Sequence, residues 1–117
     1  MSLVMERPAV AFRSNSEVAI HVPDLARAEA FYGGVLGFPL LSKSSDMLEF
    51  DTGALRLYVN RDPGVTSFTP SLDVANYAAA KQRLLDAGCT ILRDSPNEEG
   101  FYFQDPFGFT IDVIVRA

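Results

Sequence analysis

From Ser16 onward the sequence runs through one order of elements and then runs through it again. This duplication constrains the fold more than any single segment does. "SEVAIHV" (16–22) alternates, with Val18, Ile20 and Val22 on one side and Glu17, Ala19 and His21 on the other, which predicts a strand with one packed face. Pro23-Asp24 ends it, and Asp24 can cap a helix from Leu25 to about Leu36 whose stripe is Leu25, Ala28, Phe31, Tyr32 and Val35. Gly33-Gly34 weakens that helix near its end and Gly37 stops it. Three short strands follow at about 39–42, 47–51 and 54–60, the last two joined through the turn Asp51-Thr52-Gly53. The breaker-rich stretch 61–67, which opens with Arg61-Asp62-Pro63-Gly64, reads as a linker. The order then recurs: a strand at 68–74, an amphipathic helix at 76–87 carrying Tyr77, Ala80, Leu84 and Leu85, and strands at 89–93, 100–104 and 109–115.

The expected fold is α+β, a single domain over residues 1–117 made of duplicated βαβββ modules at 16–60 and 68–116. Helices covering one side of curved sheets leave the other side free to form a cupped cleft. Strand parity assigns to that free side Glu17, Ala19 and His21; Arg56 and Tyr58; Thr69, Ser71 and Asp73; Thr110, Asp112 and Ile114. This set is polar and ionisable, whereas the opposite parity is nearly all aliphatic, which suits either a functional cleft or a solvated face. His21 is the only histidine and so the natural general base near neutral pH, with Glu17 or Asp112 available to orient it; a structural hydrogen bonder is the plainer alternative. Tyr58 can donate a proton or stack on a ligand. Phe101-Tyr102-Phe103 puts aromatics on both faces of a late strand, one face packing the core and the other lining the pocket, and Phe101 and Phe103 are the pocket candidates.

Composition narrows the partners. The chain has 117 residues and a net charge of -5, with no run of Lys and Arg, so a phosphate backbone is an unsuitable partner. Cys89 is the single cysteine, which excludes an internal disulfide and suits a reducing cytoplasm; following Gly88 and opening an apolar stretch, it reads as a packed thiol. No stretch approaches the length of a membrane span, and the first fifteen residues lack the apolar run of a signal peptide. The expected setting is therefore cytoplasmic, with neither membrane nor nucleic acid as partner.

"EVAIHVPDLARAEAFYGGVLGF" (17–38), together with "FQDPFGFTIDVIV" (103–115), resembles the glyoxalase / bleomycin-resistance / extradiol-dioxygenase superfamily, the vicinal oxygen chelate fold. Asp24-Leu25, Phe31-Tyr32, Leu36-Gly37-Phe38 and Asp105-Pro106 with Gly108 carry the likeness, which covers roughly residues 16–116. It implies paired βαβββ modules around a pocket, in a homodimer. Metal-dependent members take ligands from the first and last strand of each module, and those positions fall on Glu17, Arg56, Thr69 and Asp112. A guanidinium is no metal ligand and stays protonated, so Arg56 is expected to repel a divalent ion and to join Glu17 and Asp112 in an ion-pair network. The resemblance thus implies a small-molecule-binding protein with no metal cofactor, its ligand held by Glu17, His21, Arg56, Tyr58, Thr69, Ser71, Phe101, Phe103 and Asp112. The alternative is a metal-dependent lyase, isomerase or ring-cleaving dioxygenase, with Fe, Mn, Ni or Zn held by Glu17, His21 and Asp112.

Overall fold

The computed structural model describes residues 10–64 and 67–116. Its strands are β1 (Arg13–Val22), β2 (Leu40–Lys43), β3 (Met47–Asp51), β4 (Arg56–Arg61), β5 (Ser67–Val74), β6 (Thr90–Asp94), β7 (Gly100–Gln104) and β8 (Thr110–Val115). Helix α1 (Leu25–Ala28) lies between β1 and β2, and α2 (Tyr77–Asp86) lies between β5 and β6. The βαβββ order therefore occurs twice, as the duplication predicts. Strands hydrogen-bond in the order β2-β3-β4-β1-β5-β8-β7-β6, which begins and ends on an edge. The described residues divide into two compact units, one within Ser16–Ser71 and one of residues 10–15 with 72–116. The division falls inside β1 and β5.

In the Ser16–Ser71 unit, β1 pairs in parallel with β4, placing Glu17 opposite Arg56, Ala19 opposite Tyr58 and His21 opposite Asn60. Alternation then sends Val18, Ile20, Leu57 and Val59 to the other face, where they form a core with Ala28, Leu48 and Phe50. The Asp24 side chain accepts from the Arg27 amide and caps α1 as expected. After one turn, however, the winding widens to a π-helix over Glu29–Val35, with Leu36 N donating to Phe31 O five residues back. The wider winding keeps Leu25 and Tyr32 against the core but leaves Phe31 and Val35 exposed, although a 3.6-residue period places them on the same stripe.

The second unit repeats the scheme. Val74, Ala80, Cys89, Phe101, Phe103 and Val113 form its core, with Tyr77, Leu84, Ile91 and Ile111 packed against it. Leu85, expected on the packed stripe of α2, is exposed. The duplication extends to a local irregularity: register slips between Leu40 and Ser42 in the β2–β3 ladder and between Ile91 and Arg93 in the β6–β7 ladder. Tyr77 and Lys81 of α2 both reach Asp94 of β6, tying that helix to the edge strand.

Gly100 sits where the ladder admits no side chain, because a Cβ there would lie 2.2 Å from the Val113 carbonyl oxygen. Gly34 has open space and no left-handed backbone. Gly100→Ala is expected to lower stability by roughly 2–3 kcal/mol in urea unfolding, as overpacking against backbone does. Gly34→Ala is expected to be neutral or to gain about 0.5 kcal/mol by reducing unfolded-chain entropy.

Candidate functional site

The polar face of the Ser16–Ser71 unit follows from alternation and register. β3 pairs antiparallel with β4, Glu49 opposite Tyr58 and Asp51 opposite Arg56. Leu48 and Phe50 enter the core, so Glu49 points to the side that carries Glu17, Arg56 and Tyr58. Both of its oxygens are engaged: Oε1 accepts from Ser42 Oγ at 2.8 Å, and Oε2 accepts from Arg56 Nη1 at 2.5 Å and from the Tyr58 hydroxyl at 3.5 Å. Arg56 thus forms its ion pair with Glu49, a residue outside the Glu17-Arg56-Asp112 network expected from the sequence.

These contacts set the charge states. The Arg56 guanidinium, and after it the Ser42 hydroxyl, hold the Glu49 carboxyl below the usual range, and Glu49 in turn holds Arg56 above its own. Burial, followed by the charges of Glu17 and Glu49, raises the Tyr58 phenol, so it remains a protonated donor. Beside this cluster opens a cleft of about 320 Å³ lined by Ser16, Glu17, Asp51, Gly53, Leu55, Arg56 and Tyr58. A larger hollow of about 570 Å³ lies along the π-helix, but its one charged lining side chain, Glu29, is paired with Lys43 at 2.8 Å. Of these two, the 320 Å³ cleft has the more ionisable lining, with Glu17, Asp51, Arg56 and Tyr58.

His21, Thr69 and Ser71 are all buried in the same unit. His21 Nδ1 lies 2.8 Å from Ser67 Oγ, which places Ser67, and by alternation Thr69 and Ser71, on the face that carries His21. Thr69 is fully enclosed and its Oγ1 is the one buried side-chain nitrogen or oxygen among the described residues without a hydrogen-bond partner.

Asp112 belongs to the other unit, where it stands opposite Tyr102 on β7 and is engaged. Phe101 and Phe103 stand opposite Val113 and Ile111 and are buried in that unit's core, with the Phe101 ring edge-on to Tyr77 at 5.9 Å. They are core residues and not a pocket pair. The aromatic that shares a face with Asp112 is Tyr102, with the Arg93 guanidinium 5.7 Å from its ring centre. Asp73, also expected on the free face, binds Asn15 Nδ2 at 2.8 Å and Arg116 at 3.2 Å within its own unit. Glu49, Ser42 and Asp51 escaped the sequence reading, although the alternation of "MLEFD" already puts Glu49 opposite in parity to Leu48 and Phe50.

The glyoxalase-like domain profile matches residues 17–114. The chain belongs to the glyoxalase-like domain family. Solved structures with the same fold include a variant of homoprotocatechuate 2,3-dioxygenase from B. fuscum, with TM-score 0.72, 18% identity and coverage of 95% of this chain and 34% of that one. An anaerobic complex of the Brevibacterium fuscum dioxygenase with 3,4-dihydroxyphenylacetate matches at 0.72 and 18%, covering 95% of this chain and 39% of that one. The Mn(II)-bound glyoxalase from Novosphingobium aromaticivorans matches at 0.64 and 19%, covering 90% and 40%. The chain thus spans between a third and two fifths of the length of these neighbours. No curated protein sequence matches it.

The glyoxalase neighbour holds Mn(II). The implied positions hold Glu17, Arg56, Thr69 and Asp112, and the Arg56 guanidinium brings a fixed positive charge already paired with Glu49. Among the described residues no three His, Cys, Asp or Glu side chains are grouped to hold a metal ion. Within the Ser16–Ser71 unit, Arg56 and Thr69 thus occupy two of the implied positions without a carboxylate or imidazole donor.

Because folding lowers the Glu49 pKa, its ionised form stabilises the protein fully above the unfolded carboxylate value, and that contribution fades as pH falls through the lower folded-state value. Wild type should therefore exceed Glu49→Gln in urea midpoint at neutral pH, with the gap closing on acidification below about pH 4. A gap independent of pH would show that the carboxylate charge contributes nothing.

Proposed function

We propose that this glyoxalase-like protein binds a small molecule at the cleft of Glu17, Arg56 and Tyr58, without a divalent metal such as the Mn(II) of its glyoxalase neighbour. The observation that carries this reading is the Arg56–Glu49 pair at the position where a metal-dependent relative is expected to present a ligand. An arginine fixed beside a cleft, with a protonated tyrosine next to it, is equipped to position polar ligand atoms by charge and hydrogen bonding. Glu17 and Asp51 add acceptors at the rim. The resemblance and the single buried Cys89 support the further proposal of a homodimer in a reducing cytoplasm.

Elemental analysis of the purified protein, repeated after adding Fe(II), Mn(II), Ni(II) and Zn(II) in turn, should find far less than one metal per chain. One metal per chain, lost in both Glu17→Ala and Asp112→Ala, would sink this reading in favour of a metal-dependent lyase, isomerase or dioxygenase. Binding itself is checked by thermal shift against catechol, benzoate, acetophenone and 3,4-dihydroxyphenylacetate, the last being the molecule in the dioxygenase complex. A binder should lose about tenfold or more in affinity in Arg56→Ala, the loss of a charge-assisted contact.

A further inference from the structure

The unit of residues 10–15 and 72–116 holds a cavity of its own. It measures about 150 Å³ and is lined by Ala11, Arg13, Asp73, Val74, Ala75 and Arg116. Phe12 packs against that unit's core, so alternation turns Arg13 and Asn15 to the opposite side. There Asn15 Nδ2 donates to Asp73 Oδ1 at 2.8 Å, and Arg116 Nη1 donates to the same oxygen at 3.2 Å. The Arg116 amide also donates to Val74 O at 2.7 Å, which seats Arg116 at the end of β5. Asp73 is therefore matched by one guanidinium, that of Arg116. Among the described residues the Arg13 side chain has no hydrogen-bond or ion-pair partner. Two guanidiniums against one carboxylate leave this cavity with an excess positive charge, in a chain whose net charge is -5.

We infer that this cavity binds a phosphoryl group, free or as the end of a phosphate ester, held between Arg13 and Arg116. A guanidinium is permanently charged and offers five N–H donors, so Arg116 can hold Asp73 and still present donors to a ligand. Arg13 presents its whole fork. A phosphoryl group carries three strong acceptor oxygens and close to two negative charges at neutral pH. It can therefore accept from two guanidiniums that arrive from different segments, where a carboxylate has only two oxygens to share. The small apolar side chains of Ala11, Val74 and Ala75 leave space between the arginines and weaken the screening of their charge. None of these residues lines the cleft of Glu17, Arg56 and Tyr58, so the inference stands apart from the function proposed there.

The test is calorimetric titration of wild type, Arg13→Gln, Arg13→Lys and Arg56→Ala with inorganic phosphate, phenyl phosphate and acetate at fixed ionic strength. Wild type should bind a phosphate probe saturably and acetate more weakly. Arg13→Gln should bind the phosphate probe about 5- to 10-fold more weakly, the loss of a charge-assisted contact. Arg13→Lys keeps the charge without the planar fork and should fall between the two. In phosphate-free buffer Arg13→Gln should unfold within about 3 °C of wild type, because the residue it replaces is exposed. Tighter binding of phenyl phosphate assigns the site to the end of a larger ester, and tighter binding of inorganic phosphate assigns it to the free ion. An Arg13→Gln protein that melts far below wild type would overturn the inference, since the guanidinium would then be serving the fold. Phosphate binding that weakens in Arg56→Ala but not in Arg13→Gln would place the anion at the other cleft and sink it as well. So would wild type that binds neither phosphate probe, or that binds acetate as tightly as phosphate.

Discussion

Each half of the duplicated chain covers one face of its strands with a single helix, and burial of that face dictates everything on the other. Val18, Ile20, Leu48, Phe50, Leu57 and Val59 are withdrawn from water in one unit, and Val74, Phe101, Phe103 and Val113 in the other. At roughly 25 cal/mol per Å² of apolar area, such burial is the dominant stabilising term. Because side chains alternate along a strand, every residue committed to the core assigns its neighbours to the opposite face. Glu17, Glu49, Arg56 and Tyr58 are brought together by that rule and by the ladder register.

What the face then does is an electrostatic matter. Glu49 stands between Ser42, Arg56 and Tyr58 and holds all of them, so the charge of Arg56 is fixed in place beside the cleft. Arg56 is about half exposed and Glu49 is largely covered, which makes the pair a positioning device more than a source of stability. Relatives of this fold include a Mn(II)-bound glyoxalase, whereas here a guanidinium stands at an expected ligand position. A fixed organic cation cannot accept vicinal oxygens into a coordination sphere, but it can orient a polar molecule through directed N–H bonds.

The Thr69 hydroxyl is buried without a hydrogen-bond partner. A chain that satisfies its other described buried side-chain polar atoms but not this one carries a local cost that packing does not explain. His21 illustrates the opposite case. Its ring is buried and bonded to Ser67, so its contribution to holding β1 beside β5 is visible in the structure without any chemistry.

The alternation and the repeated order of elements were enough to determine the βαβββ duplication, the cap at Asp24, the aliphatic cores and the polar parity of Glu17, Arg56, Tyr58 and Thr69. These are local properties, because a period of two or of about 3.6 is written residue by residue. The π winding after Ala28, the exposure of Phe31 and Val35, and the core placement of Phe101 and Phe103 were not legible in that way. Parity says that Phe101 and Phe103 share a face but not which face, and only the β7–β8 register opposite Val113 and Ile111 decides it. The partner of Arg56 was hidden for the same reason: Glu49 and Arg56 are seven residues apart and meet only once β3 and β4 have paired. Sequence determines what each strand can offer to either side, and tertiary pairing decides which offers meet, because register is set by contacts between segments and not within them.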